Sequence, residues 1–260
     1  MRKIILILFT VITLNTAMFA QAESNYNNDL LMGILWQQNS GEYSALCYQA
    51  FSAAKTYLNT LSGGSGKAVV FDLDETMIDN SKYAAWMVKT GSGWSFESWE
   101  DWCNSKQAEA VPGALEFALF TAEKKYEIFY VSNRPVSVLE STIENLKSLG
   151  FPAADIDHVM LMEKTSDKTP RHKKIEAFGY EIVLYAGDNL DDFDSSIRKK
   201  DNNDRRIYAD SNIDKFGKYW IVLPNSVYGT FESAIHPDYY NLTPEGKASA
   251  RLDMIKSWEK

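Results

Sequence analysis

Short apolar runs alternate along the chain with longer segments in which apolar residues recur every three or four positions. Three runs, 68–71, 127–131 and 182–186, are apolar almost throughout instead of alternating with polar residues. That pattern is typical of strands buried on both faces of a parallel sheet. The segments between them have the period of helices, as in 139–149, which is closed by Gly150. We therefore predict an α/β fold, in which helices flank a parallel sheet and the crossovers are right-handed.

The composition between the runs predicts how the chain is organised. Residues 77–110 are the least regular section, with four tryptophans in seventeen residues, and we interpret them as an insertion. The predicted parts, in chain order, are N-terminal helices (27–61), a core (67–76 and 111–235) that contains the insertion (about 77–110), and a tail (236–260). Further helices are predicted over 115–124, between Thr169 and Gly179, and over 244–258.

The first residues resemble a secretory signal peptide. Two basic residues precede an apolar run (4–14), and Ala20-Gln21-Ala22 has the small-x-small pattern of a cleavage site. We expect cleavage of 1–22, after Ala20 or Ala22, which leaves 23–260 as a single domain. The run is too short for a stable membrane span, and no cysteine follows it to carry a lipid. We therefore predict a protein secreted to the periplasm or the medium, without a stable membrane anchor.

The charge limits the kinds of partner that the protein can bind, and the cysteine content bears on a disulfide and on a zinc site. The formal charge of −8 becomes −10 when residues 1–22 leave, because they contain two basic residues and no acidic ones. That charge disfavours a nucleic-acid polymer but not a small phosphate held by a local site. Cys47 and Cys103 could pair in an oxidising compartment, but their spacing gives no geometric evidence for a disulfide. Two cysteines and three scattered histidines do not make a convincing zinc site.

Two groups of aspartates directly follow predicted buried strands. Asp72 and Asp74 follow the first run, and Asp188, Asp191 and Asp192 follow the third. Ligands of open α/β sheets lie at the carboxyl ends of the strands, where these groups would converge. Several buried carboxylates require a cation, and ligands that are all hard oxygens favour Mg²⁺. The alternative is that such aspartates only form turns or cap helices. That alternative explains one group of aspartates adequately but explains the two groups together poorly.

Polar residues between the two groups could bind an anion. Ser132 and Asn133 follow the second run and could donate hydrogen bonds to a phosphoryl oxygen, although Ser-Asn is also ordinary turn chemistry. Thr169 fits an N-cap and Pro170 the first helical position, so Lys168 should lie beside a helix N-terminus that favours anions. The alternative for Lys168 is a solvated surface lysine.

The order of these residues resembles the haloacid dehalogenase superfamily, and more closely the bacterial class C acid phosphatases. The matching motifs include Phe71-Asp72-Leu73-Asp74-Glu75-Thr76, Tyr130-Val131-Ser132-Asn133-Arg134, Gly187-Asp188-Asn189-Leu190-Asp191-Asp192 and Leu223-Pro224-Asn225-Ser226-Val227-Tyr228. The resemblance covers nearly all of the mature chain. The chain is close to the lipoprotein e group, from which it differs by lacking the lipid-bearing cysteine. It implies the superfamily's sheet with a small, mostly helical cap.

The resemblance also implies a mechanism. Asp72 would attack phosphorus to form an aspartyl-phosphate, and Asp74 would protonate the leaving oxygen and then deprotonate water. Ser132, Asn133 and Lys168 would hold phosphoryl oxygens. The implied ligands of Mg²⁺ are Asp72, the main-chain carbonyl of Asp74, Asp188 and, behind them, Asp192.

Aromatic residues are candidates for a wall against which a flat leaving group stacks. Class C enzymes have aromatic residues at the positions of Trp99 and Tyr228, and these bind nucleoside 5′-monophosphates; we add Trp102 as a third candidate. The alternative is that these rings form the core of the cap. We assign Trp86 and Trp94 to that structural role.

Three functions are consistent with the sequence. The first is a magnesium-dependent phosphomonoesterase outside the cytoplasm, with a broad range and a preference for nucleoside 5′-monophosphates or other aromatic phosphomonoesters. The second is a phosphotransferase or a hydrolase of sugar or lipid phosphates from the same superfamily. The third is a binding or storage protein without catalysis, which the presence of Asp72 disfavours. The expected partner is a small-molecule phosphomonoester, and a homodimer remains open.

Overall fold

The structure is a computed structural model that describes residues 30–259. The predicted signal peptide and the start of the predicted N-terminal helices lie outside these residues. The strands are β1 (Lys67–Phe71), β2 (Ile78–Asp79), β3 (Glu109–Ala110), β4 (Glu127–Pro135), β5 (Val159–Met162), β6 (Glu181–Gly187) and β7 (Trp220–Val222). The helices are α1 (30–39), α2 (Gly41–Thr60), α3 (Ser81–Thr90), α4 (Phe96–Ser105), α5 (Ala114–Glu123), α6 (Leu139–Leu149), α7 (Thr169–Ala177), α8 (Asn202–Ser211), α9 (Thr230–Ser233) and α10 (Pro244–Met254).

Five strands form one parallel sheet in the order β5-β4-β1-β6-β7, which confirms the predicted fold class. Val69 and Phe71 of the central strand pack in the cluster covered by α2, α5 and α6. Ala68 and Val70 point to the opposite face and pack under α7. All four side chains are at most 3% exposed. The run has no polar alternation because both of its faces are buried.

The insertion between β1 and α5 forms a small cap. β2 and β3 pair as an antiparallel ribbon, and α3 and α4 lie between them in the chain. Gly91 follows the last residue of α3, and its φ of +70° is the left-handed conformation that glycine adopts readily. Ser95 caps α4 and accepts a hydrogen bond from the Ser98 N–H at 3.1 Å. Leu30 and Ile34 of α1 pack against the inner face of α3, so the N-terminal helix supports the cap.

The boundaries of several elements differ from the predictions. The N-terminal helical segment is divided at Ser40, whose hydroxyl accepts from the Tyr43 N–H at 3.0 Å and starts a new helix. Thr169 is the first residue of α7 and not its N-cap. Lys168 holds the N-cap position, and Asp167 accepts the Thr169 N–H at 2.9 Å. The last helix ends at Met254, four residues short of the predicted end. Strand β5 was not predicted from the sequence.

A cluster of charged groups joins the starts of β4 and β5 at the amino end of the sheet. The His158 ring lies 2.6 Å from Asp155 Oδ1 and 2.8 Å from Glu127 Oε1. Burial by itself would lower the pKa of His158, but its hydrogen bonds to the two carboxylates raise it above the ordinary value. The His158 ring, paired with both carboxylates, therefore links two neighbouring strands.

Two further features bear on the sequence-based expectations. Cys47 and Cys103 are both buried and free, so they are not linked to each other. Among the helices within residues 30–259, none is both long and apolar enough to cross a bilayer.

Candidate active site

The loops after β1 and β6 bring three carboxylates together at the carboxyl end of the sheet. The two strands are paired with Phe71 opposite Ala186, so the residues that follow them are neighbours. Asp72, Asp188 and Asp192 each place a carboxylate oxygen within 4.8 Å of the others. Asp72 and Asp192 are buried and Asp188 is half-buried. The structure thus brings together the side chains that the sequence assigned to a metal site.

Gly187 at the end of β6 allows this close approach. A Cβ atom at position 187 would lie 2.5 Å from Cβ and Oδ2 of Asp192, closer than side-chain atoms can approach. Asp192 accepts a hydrogen bond from the Asn189 N–H at 2.9 Å, and the Asn225 amide donates to Asp188 at 2.8 Å. Both carboxylates are therefore held in place by the protein itself.

Lys168 enters the same cluster from the start of α7. It is 4% exposed, and its Nζ donates to Asp72 Oδ1 and lies 2.7 Å from Asp192 Oδ1. Burial alone would lower the pKa of Lys168, but the charges of Asp192 and Asp72 raise it above the ordinary value. Lys168 is therefore a buried cation and not the solvated surface lysine of the alternative interpretation.

The charge balance of the cluster fits a bound divalent cation. Burial raises the pKa of Asp72 to about 7; the charge of Lys168 opposes this rise, and those of Asp192 and Asp74 add to it. Burial and the charges of Asp192 and Asp72 also raise the pKa of Asp188 well above its usual value. One ammonium group does not neutralise three carboxylates. A hard divalent cation would neutralise them, and all the side-chain ligands on offer are oxygens.

Asp74 follows the same strand as Asp72, but its carboxylate makes different contacts. Its Oδ1 accepts from Arg134 Nε at 2.8 Å and from Asn80 Nδ2 at 2.9 Å, and its Oδ2 accepts from the Ser132 hydroxyl at 3.0 Å. Arg134 is 1% exposed and also donates to Asn80 Oδ1 at 3.0 Å. Asp72 thus lies beside a lysine and two carboxylates, whereas Asp74 is bound by an arginine.

Ser132 and Asn133 lie close to this site. Ser132 is completely buried, and besides donating to Asp74 its oxygen accepts the Arg134 N–H at 3.1 Å. Asn133 is exposed on the wall of the cleft, and its side-chain oxygen accepts from Arg171 at 2.6 Å. Because that oxygen is already bound to Arg171, the side chain of Asn133 can bind a ligand through its amide N–H groups.

The site opens into a cleft of about 640 Å³ between the sheet and the cap. Trp99 and Tyr228, both predicted to contact substrate, line it. Trp102 packs near Tyr83, and its indole N–H donates to Asn80 at 2.8 Å, contacts that favour its structural alternative. Trp94, which the sequence analysis assigned to the cap core, is instead 52% exposed and lines the cleft.

Comparison with known proteins agrees with this geometry. The family described as HAD superfamily, subfamily IIIB (acid phosphatase), matches residues 9–231. The chain belongs to this family. It is similar to the class C acid phosphatase from Bacillus anthracis, at 35% identity and a TM-score of 0.84 over 90% of this chain and 99% of that one. A second structure of the Bacillus anthracis enzyme, with tungstate bound, matches at 34% identity and a TM-score of 0.83 over the same shares of the two chains.

This acid phosphatase is thus a phosphomonoesterase of class C that acts on small phosphorylated molecules. Its family uses a divalent metal, and the cluster of Asp72, Asp188 and Asp192 could bind one.

Three polar residues of the acid phosphatase site were given no role by the sequence analysis. Arg134 and Asn80 hold Asp74, and Glu75, although only 1% exposed, lines the cleft. Burial raises the pKa of Glu75 to about 8, and the charge of Asp74 adds to the rise. All three residues lie within or beside the motifs quoted above, so the motifs indicated that these residues belong near the site. Their roles depend on contacts between segments that are far apart in sequence.

Proposed function

We propose that this acid phosphatase hydrolyses phosphomonoesters with flat leaving groups, such as nucleoside 5′-monophosphates, with Asp72 as nucleophile and Asp74 as acid and base. The observation that carries this assignment is the difference between the two aspartates. Asp72 lies in the carboxylate cluster and touches Lys168, whereas Asp74 lies outside the cluster and is bound by Arg134 and Ser132.

In the first step an oxygen of Asp72 bonds to phosphorus while the bond to the leaving oxygen breaks. Lys168 and the N–H groups of Asn133 bind phosphoryl oxygens and stabilise charge that builds up in the transition state. Ser132 is placed to join them only if its hydroxyl turns from Asp74 towards the phosphoryl group. The step leaves an aspartyl-phosphate on residue 72.

Asp74 moves the protons of both steps. It gives a proton to the leaving oxygen, and it takes one from the water that hydrolyses the aspartyl-phosphate. The hydrogen bonds from Arg134 and Asn80 fix the position of its carboxyl group, which general acid–base catalysis requires.

Asp72, Asp188 and Asp192, together with the main-chain carbonyl of Asp74, are the residues that would hold Mg²⁺. When bound, the ion neutralises the carboxylates and lets an anionic nucleophile approach a phosphate. The carboxylate cluster supports the metal site. The relative with bound tungstate supports binding of a phosphoryl group, since tungstate is a tetrahedral oxyanion with the shape of phosphate.

The cleft supports the choice of leaving group. Trp99 and Tyr228 both expose ring surface to it, and stacking of one base on an aromatic ring is worth about 1–3 kcal/mol. A phosphotransferase, or a hydrolase of sugar or lipid phosphates, would use the same catalytic groups but would gain less from these rings. We expect the reaction to occur outside the cytoplasm, in the periplasm or the medium, because the sequence predicts a signal peptide.

The test is phosphate release from a nucleoside 5′-monophosphate by wild type and Asp72→Asn, each with and without EDTA. We expect no turnover by Asp72→Asn, because an amide cannot form the acyl-phosphate, and reversal of the EDTA inhibition by Mg²⁺. Asp253→Asn in the exposed tail is the matched control and should be fully active. Turnover by Asp72→Asn above about one part in a thousand of wild type would exclude Asp72 as nucleophile. Recovery with zinc alone would exclude a magnesium site.

A further inference from the structure

Glu75 is a buried carboxyl group next to the catalytic residues that the mechanism does not use. It follows Asp74 directly and is 1% exposed. Its backbone has a φ of +59°, the left-handed conformation that is uncommon for residues other than glycine. Such conformations cost energy and persist where the surroundings enforce them, often at functional sites. The contacts of Glu75 should therefore show which surroundings enforce this conformation.

Both oxygens of Glu75 have defined partners. Oε1 accepts the Asn80 N–H at 2.8 Å, and Oε2 accepts from the Asn80 side-chain amide at 3.3 Å. Oε2 also accepts the hydroxyl hydrogen of Tyr228, which lies more than 150 residues away in sequence. Asn80 thus fixes the carboxyl group from the side of the cap, and the carboxyl group in turn binds the phenol from the far wall of the cleft.

The backbone of Tyr228 is anchored independently of this contact. Its N–H and that of Val227 donate to Asn225 Oδ1 at 3.3 and 2.9 Å. Asn225 is itself bound to Asp188 at 2.8 Å. With the backbone held in this way, the freedom left to Tyr228 is rotation of its side chain. The hydrogen bond to Glu75 restricts that rotation, while the ring remains 40% exposed towards the cleft.

We propose that Glu75 is a specificity-determining positioning residue, which fixes the Tyr228 ring in the orientation that stacks a flat leaving group. The proposal rests on the proposed function, because it names how the enzyme favours ring-bearing substrates. Glu75 has no part in the bond-making steps. It acts through Tyr228, so its effect depends on whether the substrate has a ring.

The expected size of the effect follows from preorganisation. Ordering one flexible side chain on binding weakens an interaction by a factor of about 2 to 12. Loss of the Glu75–Tyr228 hydrogen bond should therefore raise KM for a nucleoside 5′-monophosphate by about that factor. The turnover number should change less, because a ring remote from phosphorus is held about equally in the ground state and the transition state. KM for a small aliphatic phosphate should not change.

The experiment compares Glu75→Ala, Tyr228→Phe and the double variant on both substrates in the metal-loaded enzyme. Tyr228→Phe keeps the ring and loses only the hydroxyl, so it tests the proposal even if Glu75→Ala does not fold. Each single variant should raise KM for the ring-bearing substrate alone. The double variant should be no worse than either single variant, because both changes remove the same contact. Tyr208→Phe, which removes a similar hydroxyl contact to Asp194 outside the cleft, is the matched control and should match wild type.

A further variant, Tyr228→Ala, separates this proposal from the proposed function. If Tyr228→Ala raises KM for the ring-bearing substrate but Tyr228→Phe matches wild type, stacking occurs and the role of Glu75 is refuted. If Tyr228→Ala has the same effect on both substrates, the stacking function itself is refuted. Equal losses on both substrates in Glu75→Ala would also refute the proposal, because Glu75 would then act on catalysis or folding and not on ring recognition.

Discussion

Gly187→Ala is the smallest change that should disturb the carboxylate cluster. The added Cβ would lie 2.5 Å from both Cβ and Oδ2 of Asp192 and 2.8 Å from its Cγ. Asp192 cannot easily rotate away, because it is bound by Lys168 at 2.7 Å and by the Asn189 N–H at 2.9 Å. Either Asp192 or the end of β6 has to move.

The size of the required shift sets the expected loss. Contact at an ordinary 3.4 Å requires Asp192 to retreat by about 0.9 Å from the methyl group. A misplacement of about 1 Å in a catalytic site can reduce the rate about 100-fold. Overpacking of this kind also destabilises a protein by about 1–3 kcal/mol. We therefore expect kcat/KM to fall about 100-fold while the protein stays folded.

The assay measures kcat/KM, the Mg²⁺ concentration for half-maximal activity and the free energy of unfolding in urea. The Mg²⁺ requirement should rise, since the methyl group displaces a proposed ligand. Gly41→Ala is the matched control, because nothing lies within 4 Å of the Cβ it would add. A Gly187→Ala enzyme with kcat/KM within about threefold of wild type and an unchanged Mg²⁺ requirement would refute the reasoning, since Asp192 would then not need its observed position.

Three further predictions concern the charged groups. Lys168→Met should lower kcat/KM about 100-fold, because it removes the buried cation proposed to bind phosphate; activity within about threefold of wild type would instead favour Lys164 or Arg171. Arg134→Met should reduce the free energy of unfolding by about 3 kcal/mol, because it leaves the carboxylate of Asp74 without its charged partner; a loss below about 1 kcal/mol in urea titration would contradict this. The raised pKa of His158 means that its ion pairs stabilise the protein fully below the ordinary histidine pKa and are lost as the pH rises through the folded value. The difference in unfolding free energy between wild type and His158→Gln should therefore be larger at about pH 5.5 than at about pH 8.5, and the opposite order would show that the histidine is not held as a cation.

Local patterns in the sequence were enough to predict the central strands and the position of the aspartates at their carboxyl ends. The apolar runs of β1, β4 and β6 are continuous because those strands are buried on both faces, and the sheet is parallel as predicted. Helix ends marked by glycine were also predictable, since Gly150 and Gly179 have the left-handed φ values that the pattern implied.

Elements with weaker local signals were missed or misplaced. β5 has only four residues and lies at the edge of the sheet, so neither its length nor its composition separates it from a loop. The last helix was predicted too long because its apolar residues keep a helical spacing, although Ile255 and Trp258 are exposed in the structure. Spacing alone does not reveal how much of an apolar face becomes buried.

The sequence by itself determined where the candidate carboxylates lie, because residues that directly follow adjacent parallel strands must meet at one edge of the sheet. Only the tertiary structure decided the surroundings of those carboxylates. In the structure Lys168 lies between Asp72 and Asp192. Arg134 donates a hydrogen bond to Asp74, and Tyr228 donates one to Glu75. These contacts link segments tens of residues apart, and they depend on how β4, α7 and the cap pack over β1. A local pattern reports the period of a helix or a strand, but it contains no information about the distance between side chains on different elements.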